Sequence, residues 1–202
     1  MIIAVDGPSA SGKGTIAKAL AKHFGLHYLD TGTLYRMVGL TVQRRELDPS
    51  NEEDCAAIAA SLDPASFADA ELRGELVGGY ASKVAILPKV RAALLYFQRD
   101  FAVRKPGAVL DGRDIGTVIC PHADYKFFIT ASFETRAQRR HLESRGETLS
   151  SIKADLMARD ERDATRVVNP LTPALDAVVI DTSALSAEQA VAKVLDVINS
   201  TR

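Results

Sequence analysis

Residues near the start of the chain carry the clearest chemistry: Gly7-Pro8-Ser9-Ala10-Ser11-Gly12-Lys13-Gly14-Thr15. A glycine-rich turn entering a helix can aim consecutive backbone N–H groups at a phosphate, with the positive end of the helix behind them. Lys13 adds a flexible cation able to follow the β- and γ-phosphates of a nucleoside triphosphate. All of Gly7 to Thr15 are therefore read as ligands of a nucleotide's phosphates. An ordinary tight turn between strand and helix would require neither the lysine nor this glycine spacing. The loop departs from the strict Walker A pattern, in which Ser or Thr directly follows the lysine. Gly14 occupies that position, and Thr15 comes one residue late. With the usual hydroxyl ligand missing, Mg²⁺ is expected to be held by nucleotide phosphates and water rather than by protein ligands, which suits its reluctance to dehydrate.

Three further groups point the same way. In Asp30-Thr31-Gly32-Thr33-Leu34-Tyr35-Arg36, a capped helix start with hydroxyls and a nearby arginine suits a second phosphate-bearing group. Asp111-Gly112-Arg113-Asp114-Ile115-Gly116 follows an apolar run, at the kind of strand end where open α/β sheets bind ligands. There Asp111 can orient Mg²⁺-bound water or Lys13, Arg113 can clamp a phosphate, and Asp114 can bond an acceptor nucleotide. Finally, residues 134–166 hold 7 of the 16 arginines, where an even spread would put between two and three. They are Arg136, Arg139, Arg140, Arg145, Arg159, Arg162 and Arg166. The same stretch carries 7 carboxylates, so it is no simple nucleic-acid patch. Arg136 and Arg140 fall on one helix face, and Arg159, Arg162 and Arg166 on one face of the next.

Phosphoryl transfer between two nucleotides explains such a concentration of cations. Two unit charges about 4 Å apart repel by about 4 kcal/mol at an effective dielectric of about 20. Several such pairs must be offset, while little covalent work is left to the protein. A mobile arginine-bearing segment would also exclude water as a competing acceptor. No general base is expected, because a phosphate acceptor is already anionic near neutral pH.

The elements that position these residues follow from periodicity. Ile2–Asp6 reads as a short buried strand and Ile16–Phe24 as a helix. His27–Leu29 is a candidate strand, followed by a helix from about Leu34 to Arg45. Residues 46–80 are less regular, with Pro49, Pro64, Gly74, Gly78 and Gly79, and read as an inserted subdomain with an acidic helix start at Asn51–Asp54. Val90–Val103 is an amphipathic helix. Strands follow at Ala108–Asp111, Tyr125–Ile129 and Ala177–Ile180, with helices at about 133–145, 149–165 and 186–199. Short apolar strands alternating with helices define a doubly wound α/β class with a parallel sheet.

The 202 residues fit one domain, and 47% hydrophobic with 25% charged residues is ordinary for a folded protein. A net charge of -1 offers no general attraction to nucleic acid or membrane surfaces. Cys55 and Cys120 form no metal or redox motif, and the four histidines lack metal-ligand spacing. With no signal peptide and no run near the roughly 18 apolar residues of a membrane helix, a cytoplasmic protein is expected. No coiled coil or strand-exchange segment appears, so a monomer is expected.

Taken together, the chain resembles the bacterial cytidylate kinases from Ile3 to its last helix. The segments that carry this are Asp6–Thr15, Asp30–Arg36, Asp111-Gly112-Arg113-Asp114-Ile115-Gly116-Thr117 and Arg159-Asp160-Glu161-Arg162-Asp163-Ala164-Thr165-Arg166. Gly-Lys-Gly-Thr is also a form found in nucleoside monophosphate kinases. The resemblance implies ATP-dependent, Mg²⁺-assisted phosphorylation of CMP and dCMP on a five-stranded parallel sheet of the P-loop NTPase type. It implies a nucleotide-binding insert at about 31–104 and an arginine-rich lid at about 134–166. Ser82, Arg91, Asp114 and Arg166 fall where the family builds its CMP pocket, and Arg159 and Asp163 where it contacts the sugar. Thr31, Tyr35, Arg36 and Arg113 are matched to the acceptor side, with Arg36 and Arg113 as ligands of its phosphate. Lys13, Arg113, Arg136, Arg140 and Arg162 are the expected catalytic cations. Cytosine offers O2 and N3 as acceptors for an arginine and its amino group as a donor to Ser82 or Asp114. Uracil reverses N3 and O4, leaving buried groups unpaired.

Two departures stand out. Ala10 occupies a position where glycine is commoner, which matters little unless that position needs positive φ. The insert at 46–90 is shorter than in longer members of the family. Another small P-loop kinase with a different monophosphate or metabolite acceptor is the nearest alternative. A GTPase switch would need an Asn-Lys-x-Asp motif, which is absent. A regulator without catalysis sits badly with Lys13, Arg113 and the arginine cluster all present.

Overall fold

Ile3, Ala4 and Val5 are fully buried, and so are Ala108, Val109 and Leu110. These runs form β1 (Ile2–Asp6) and β3 (Ala108–Gly112), paired in parallel at the centre of a sheet. A strand covered on both faces has no solvent side, so its apolar run is continuous rather than alternating. Strands β2 (His27–Asp30), β4 (Tyr125–Thr130) and β5 (Val178–Asp181) complete an all-parallel five-stranded sheet in the order β2-β3-β1-β4-β5. This is the doubly wound α/β class the sequence indicates. The structure, a computed structural model, describes residues 1–144 and 146–200. Arg145, one of the clustered arginines, lies outside the described residues.

Strand parity divides the core in two. Ile3, Val5 and Val109 pack against α1 (Lys13–Phe24) and α8 (Ala187–Ser200), with Ile16, Leu20, Phe127, Val194 and Ile198. Ala4 and Leu110 face the opposite layer, where they meet Ala102, Ile115 and Ile119. Register then does the functional work. Asp30 pairs with Asp111, and Asp6 pairs with the next residue, Gly112, so three acidic residues fall within one step of one another at the carboxyl ends of the strands. The order of the strands reverses direction at β1, with β3 and β2 on one side and β4 and β5 on the other. Ligands of open α/β sheets bind at such a switch point, outside the carboxyl ends of the strands.

Helices α2 (Thr31–Arg44), α3 (Glu52–Ala60), α4 (Glu75–Val84) and α5 (Pro88–Ala102) have a core of their own, built around Leu34, Val38, Val42, Cys55, Ile58, Val84, Val90 and Leu94. A smaller cluster of Ala137, Ile152 and Leu156 joins α6 (Phe133–Glu143) to α7 (Leu149–Thr165). Helix α2 begins three residues earlier than its apolar pattern indicates, because the Asp30 side chain accepts from the Gly32 amide and caps it there. Helix α4 is absent from the sequence reading. Its Gly78-Gly79 pair weakens helix propensity, and at Gly78 the reason for glycine is tertiary. A Cβ at Gly78 would lie 2.6 Å from an Arg159 guanidinium nitrogen, and one at Gly39 of α2 would lie 2.7 Å from the Ala81 amide of α4. Among the described residues no helix is long and apolar enough to cross a membrane.

Candidate active site

The loop after β1 takes its shape from three residues. A Cβ at Gly7 would lie 2.0 Å from the Ile129 carbonyl oxygen, so only glycine lets the loop lie this close to β4. Gly12 caps α1 in the left-handed region at φ 89°. Ala10 is also left-handed, at φ 59°. The position does need positive φ, so the alanine stands at a strained site. Lys13 opens α1 and folds back over the loop, its Nζ 3.5 Å from the Pro8 carbonyl. Burial, and then the Arg113 guanidinium, hold its ammonium pKa below the ordinary value. Such a cation gains from any anion placed beside it.

Arg113 bridges this loop to the far side of the cavity. Its Nε donates to Asp163 Oδ2 at 2.7 Å, and its terminal NH2 donates to Ser9 Oγ at 2.8 Å. Burial alone would raise the Asp163 pKa, but Arg113 and Arg166 hold the carboxyl below its usual range. Deeper in, Arg91 forms a buried ion pair with Asp114, and Arg166 approaches the other Asp114 oxygen at 3.8 Å. Tyr35 packs beneath Arg91, with the guanidinium carbon 5.7 Å from the ring centre. Arg91 Nε and Arg166 NH2 are buried donors without hydrogen-bond partners. Buried donors without partners are costly, which points to a ligand acceptor in this place.

Ser9, Ala10 and Lys13 line one cavity of about 240 Å³ together with Thr31, Tyr35, Arg36, Ser82, Arg91, Arg113, Asp114, Arg140, Arg159, Asp163 and Arg166. The structure thus brings the predicted donor loop and predicted acceptor residues to a common space. Some side chains are also committed elsewhere. Thr31 Oγ1 donates to the Asp111 carbonyl at 2.8 Å, and Arg36 donates to the Leu72 carbonyl at 3.0 Å. Ser82 Oγ accepts from Arg162 Nε at 2.8 Å, which ties α4 to α7. Arg162 and Arg136 do not line the cavity. Arg136 is buried and holds Asp160 through two hydrogen bonds, at 3.1 and 2.7 Å, while also donating to the Ser9 carbonyl. Arg140 lies on the cavity wall with Glu143 3.7 Å away. Within the predicted loop, Gly7, Pro8, Ser11, Gly12, Gly14 and Thr15 do not line this cavity.

Several residues at the site escape sequence reading. Tyr28 donates to Asp111 Oδ2 at 2.7 Å. A Cβ at Gly14 would lie 3.4 Å from that same oxygen, so the missing Walker hydroxyl leaves space facing a carboxylate. Burial and the neighbouring Asp30 push the Asp111 carboxyl up to about 6. Arg139 of α6, one of the clustered arginines, has a bracing role the sequence does not show, donating to the Ser11 carbonyl and to Thr182 just past β5. Asp6, buried at the end of β1, bonds backbone amides beyond Asp114. Only one local signal hinted at Asp6, a carboxylate ending an otherwise apolar strand.

A glycine-rich loop with its lysine at the switch point of a parallel sheet, facing an arginine-lined cavity, defines a P-loop kinase. Solved structures with this fold include a gluconokinase from Sinorhizobium meliloti, at TM-score 0.54 and 18% identity, covering 98% of this chain and 91% of that one. The cytidylate kinase family profile matches residues 3–200, and the chain belongs to that family. Cytidylate kinases of Bradyrhizobium sp. (strain ORS 278) and Rhodopseudomonas palustris (strain BisA53) are each 52% identical over 206 aligned residues. The alignments span 100% of this chain and 97% and 98% of theirs.

Proposed function

We propose that this enzyme transfers the γ-phosphoryl group of ATP to CMP or dCMP, releasing ADP and CDP or dCDP. The observation that carries the reading is Arg113, which spans Ser9 of the donor loop and Asp163 of α7 within one cavity. In this reading the loop amides of Gly7–Thr15 and the Lys13 ammonium hold the ATP phosphates. Arg36 and Arg113 receive the acceptor phosphate. Arg113 and Arg140 screen the transferring group, and Arg136 and Arg162 act from behind the cavity wall, closing α6 and α7 (the 134–166 lid) over it through Asp160 and Ser82. No proton need be removed from the acceptor, so the protein's work is positioning and charge stabilisation.

Arg91, Asp114, Arg166 and Ser82 form the base pocket, with Arg159 and Asp163 toward the sugar and Thr31 and Tyr35 on the acceptor wall. The unpartnered donors of Arg91 and Arg166 suit the acceptor edge of cytosine. Asp114 or Ser82 suits its amino group. Mg²⁺ also fits. Asp30 and Asp111 lie by Lys13, while the described residues contain no acidic or histidine cluster able to cage a metal. A metal held by phosphates and water, with Asp111 ordering that water, matches this donor set. When bound, Mg²⁺ supplies charge neutralisation across the β- and γ-phosphates.

The test is an ADP-release assay with ATP and Mg²⁺, offering CMP, dCMP, UMP, AMP and dTMP in turn. CMP and dCMP should turn over far faster than UMP. Absence of CMP turnover with activity on another acceptor would keep the P-loop kinase and discard this reading of the base pocket.

A further inference from the structure

Asp6 is the last residue of β1, directly before Gly7, and its side chain is buried. It does not line the cavity. Its carboxylate instead accepts two hydrogen bonds from across the chain, Oδ1 from the Ile115 amide and Oδ2 from the Gly116 amide, both at 2.8 Å. Those amides open a π-helical turn (Ile115–Ile119), and helix starts leave such donors without intrahelical partners. π-Helical turns are rare and concentrate at functional sites. The residue in the capping position is Asp114, yet its side chain makes no capping bond. Asp114 is engaged with Arg91 and Arg166 instead. A cap supplied from β1 is what leaves Asp114 available to the site. Gly116 fits this arrangement, since a Cβ there would stand 3.4 Å from Asp6 Oδ2 and 3.3 Å from Lys126 Cδ.

We infer that Asp6 is a positioning residue that locks the Arg113–Asp114 segment to the strand bearing the phosphate loop, fixing the spacing between donor and acceptor ligands. This rests on the reading of Arg113 and Asp114 as acceptor-side residues. A carboxylate is required because two N–H groups need two acceptor oxygens, and an asparagine offers one. Burial pushes the Asp6 carboxyl up to about 6, and the two amides restrain the rise. The charged and titratable groups facing it are Asp114 and Arg113 from the β3 exit, Cys120 at the far end of the turn, and Lys126 of β4. Protonation below that value removes an acceptor from one amide and loosens the segment.

The test is Asp6→Asn, which keeps the shape and turns an NH2 toward one amide. Small misplacements of reacting groups can cost about 10²-fold, so kcat should fall by about 10- to 100-fold. KM for CMP should rise, KM for ATP should stay within about twofold, and the acid limb of kcat near the Asp6 pKa should flatten relative to wild type. Substrate ionisation is common to both profiles, so their difference isolates Asp6. Wild-type kcat and KM for CMP in the variant, or a loss shared equally by ATP, overturns the inference. Should Asp6→Asn not fold, the Gly116 amide resonance of the wild-type chain decides. Its shift should titrate with the acid limb of kcat, and a shift that stays flat overturns the inference. Should wild type fail to phosphorylate CMP, the functional reading falls, while the Gly116 titration still tests the Asp6 contact.

Discussion

Lys13 and Arg113 both line the cavity, and the structure gives them different neighbours. Arg113 already has Asp163 and Ser9 as hydrogen-bond partners, whereas Lys13 makes a long hydrogen bond to a carbonyl, has Asp111 and Asp30 near it without a hydrogen bond among the described residues, and has a depressed pKa. A buried ammonium of this kind recovers its lost solvation when an anionic phosphate arrives. Lys13→Ala should therefore lower kcat by about 10²-fold or more, in line with the loss of other preorganised charge stabilisers. Thermal unfolding of the same variant must stay close to wild type for the loss to be electrostatic. Wild-type turnover by a folded Lys13→Ala enzyme would remove the lysine from the mechanism. Both residues stand out in the sequence by motif alone. Tyr28 does not, because nothing local links a strand residue to a carboxylate 83 positions away.

At the scale of elements, the acceptor side depends on how closely α4 lies against α2 and α7. Gly39 faces the α4 backbone, and a Cβ there would meet the Ala81 amide at 2.7 Å and the Tyr80 carbonyl carbon at 3.0 Å. Backbone cannot swing aside as a side chain can. Gly39→Ala gains roughly 1 kcal/mol in helix propensity, while overpacking costs roughly 1–3 kcal/mol. The net expectation is a loss of about 1 kcal/mol, with KM for CMP raised more than KM for ATP, because Ser82 moves with α4. Urea unfolding and steady-state kinetics would show it, and an unchanged KM for CMP would mean that α4 does not set the pocket. Sequence periodicity found α1, α5, α6, α7 and α8 because each has a one-sided apolar face. It passes over α4, where Gly78, which leaves room for Arg159, and Gly79 weaken the local helix signal. The π-helical turn after Asp114 likewise carries no local helix signal, since its cap lies on another strand.

For the molecule as a whole, the acidic strand ends make stability depend on pH. Asp6 and Asp111 both have folded pKa values raised to about 6 from the ordinary 3.8, chiefly by burial. The folded state thus binds these protons more tightly than the unfolded state, so ∂ΔG/∂pH of unfolding is negative across that window. Their contribution is most favourable below the unfolded value and is lost as pH rises through about 6. Asp163, held below its ordinary value, acts in the opposite sense, and its contribution is lost as pH falls. Asp111→Asn removes one of the raised groups while keeping an acceptor for Tyr28. The variant should be more stable than wild type by about 2–3 kcal/mol above pH 7, an advantage falling to about half near pH 5. Urea denaturation at the two pH values would test this, and a pH-independent difference would refute it. The same variant should lose activity, the usual trade where a buried charge serves function.

Local information was enough for the phosphate loop, the strand–helix alternation and the family signatures, because each is a short run whose residue types dictate backbone geometry. Gly7-to-Thr15 needs only its own glycines and the helix that follows to become an anion site. The tertiary structure alone decided which groups meet. Strand register set Asp30 beside Asp111 with Asp6 one step further along, α7 carried Asp163 to Arg113, and burial set the carboxyl and ammonium pKa values. Those are consequences of distance and desolvation between residues far apart in the chain, and neither quantity is written in any local stretch of sequence.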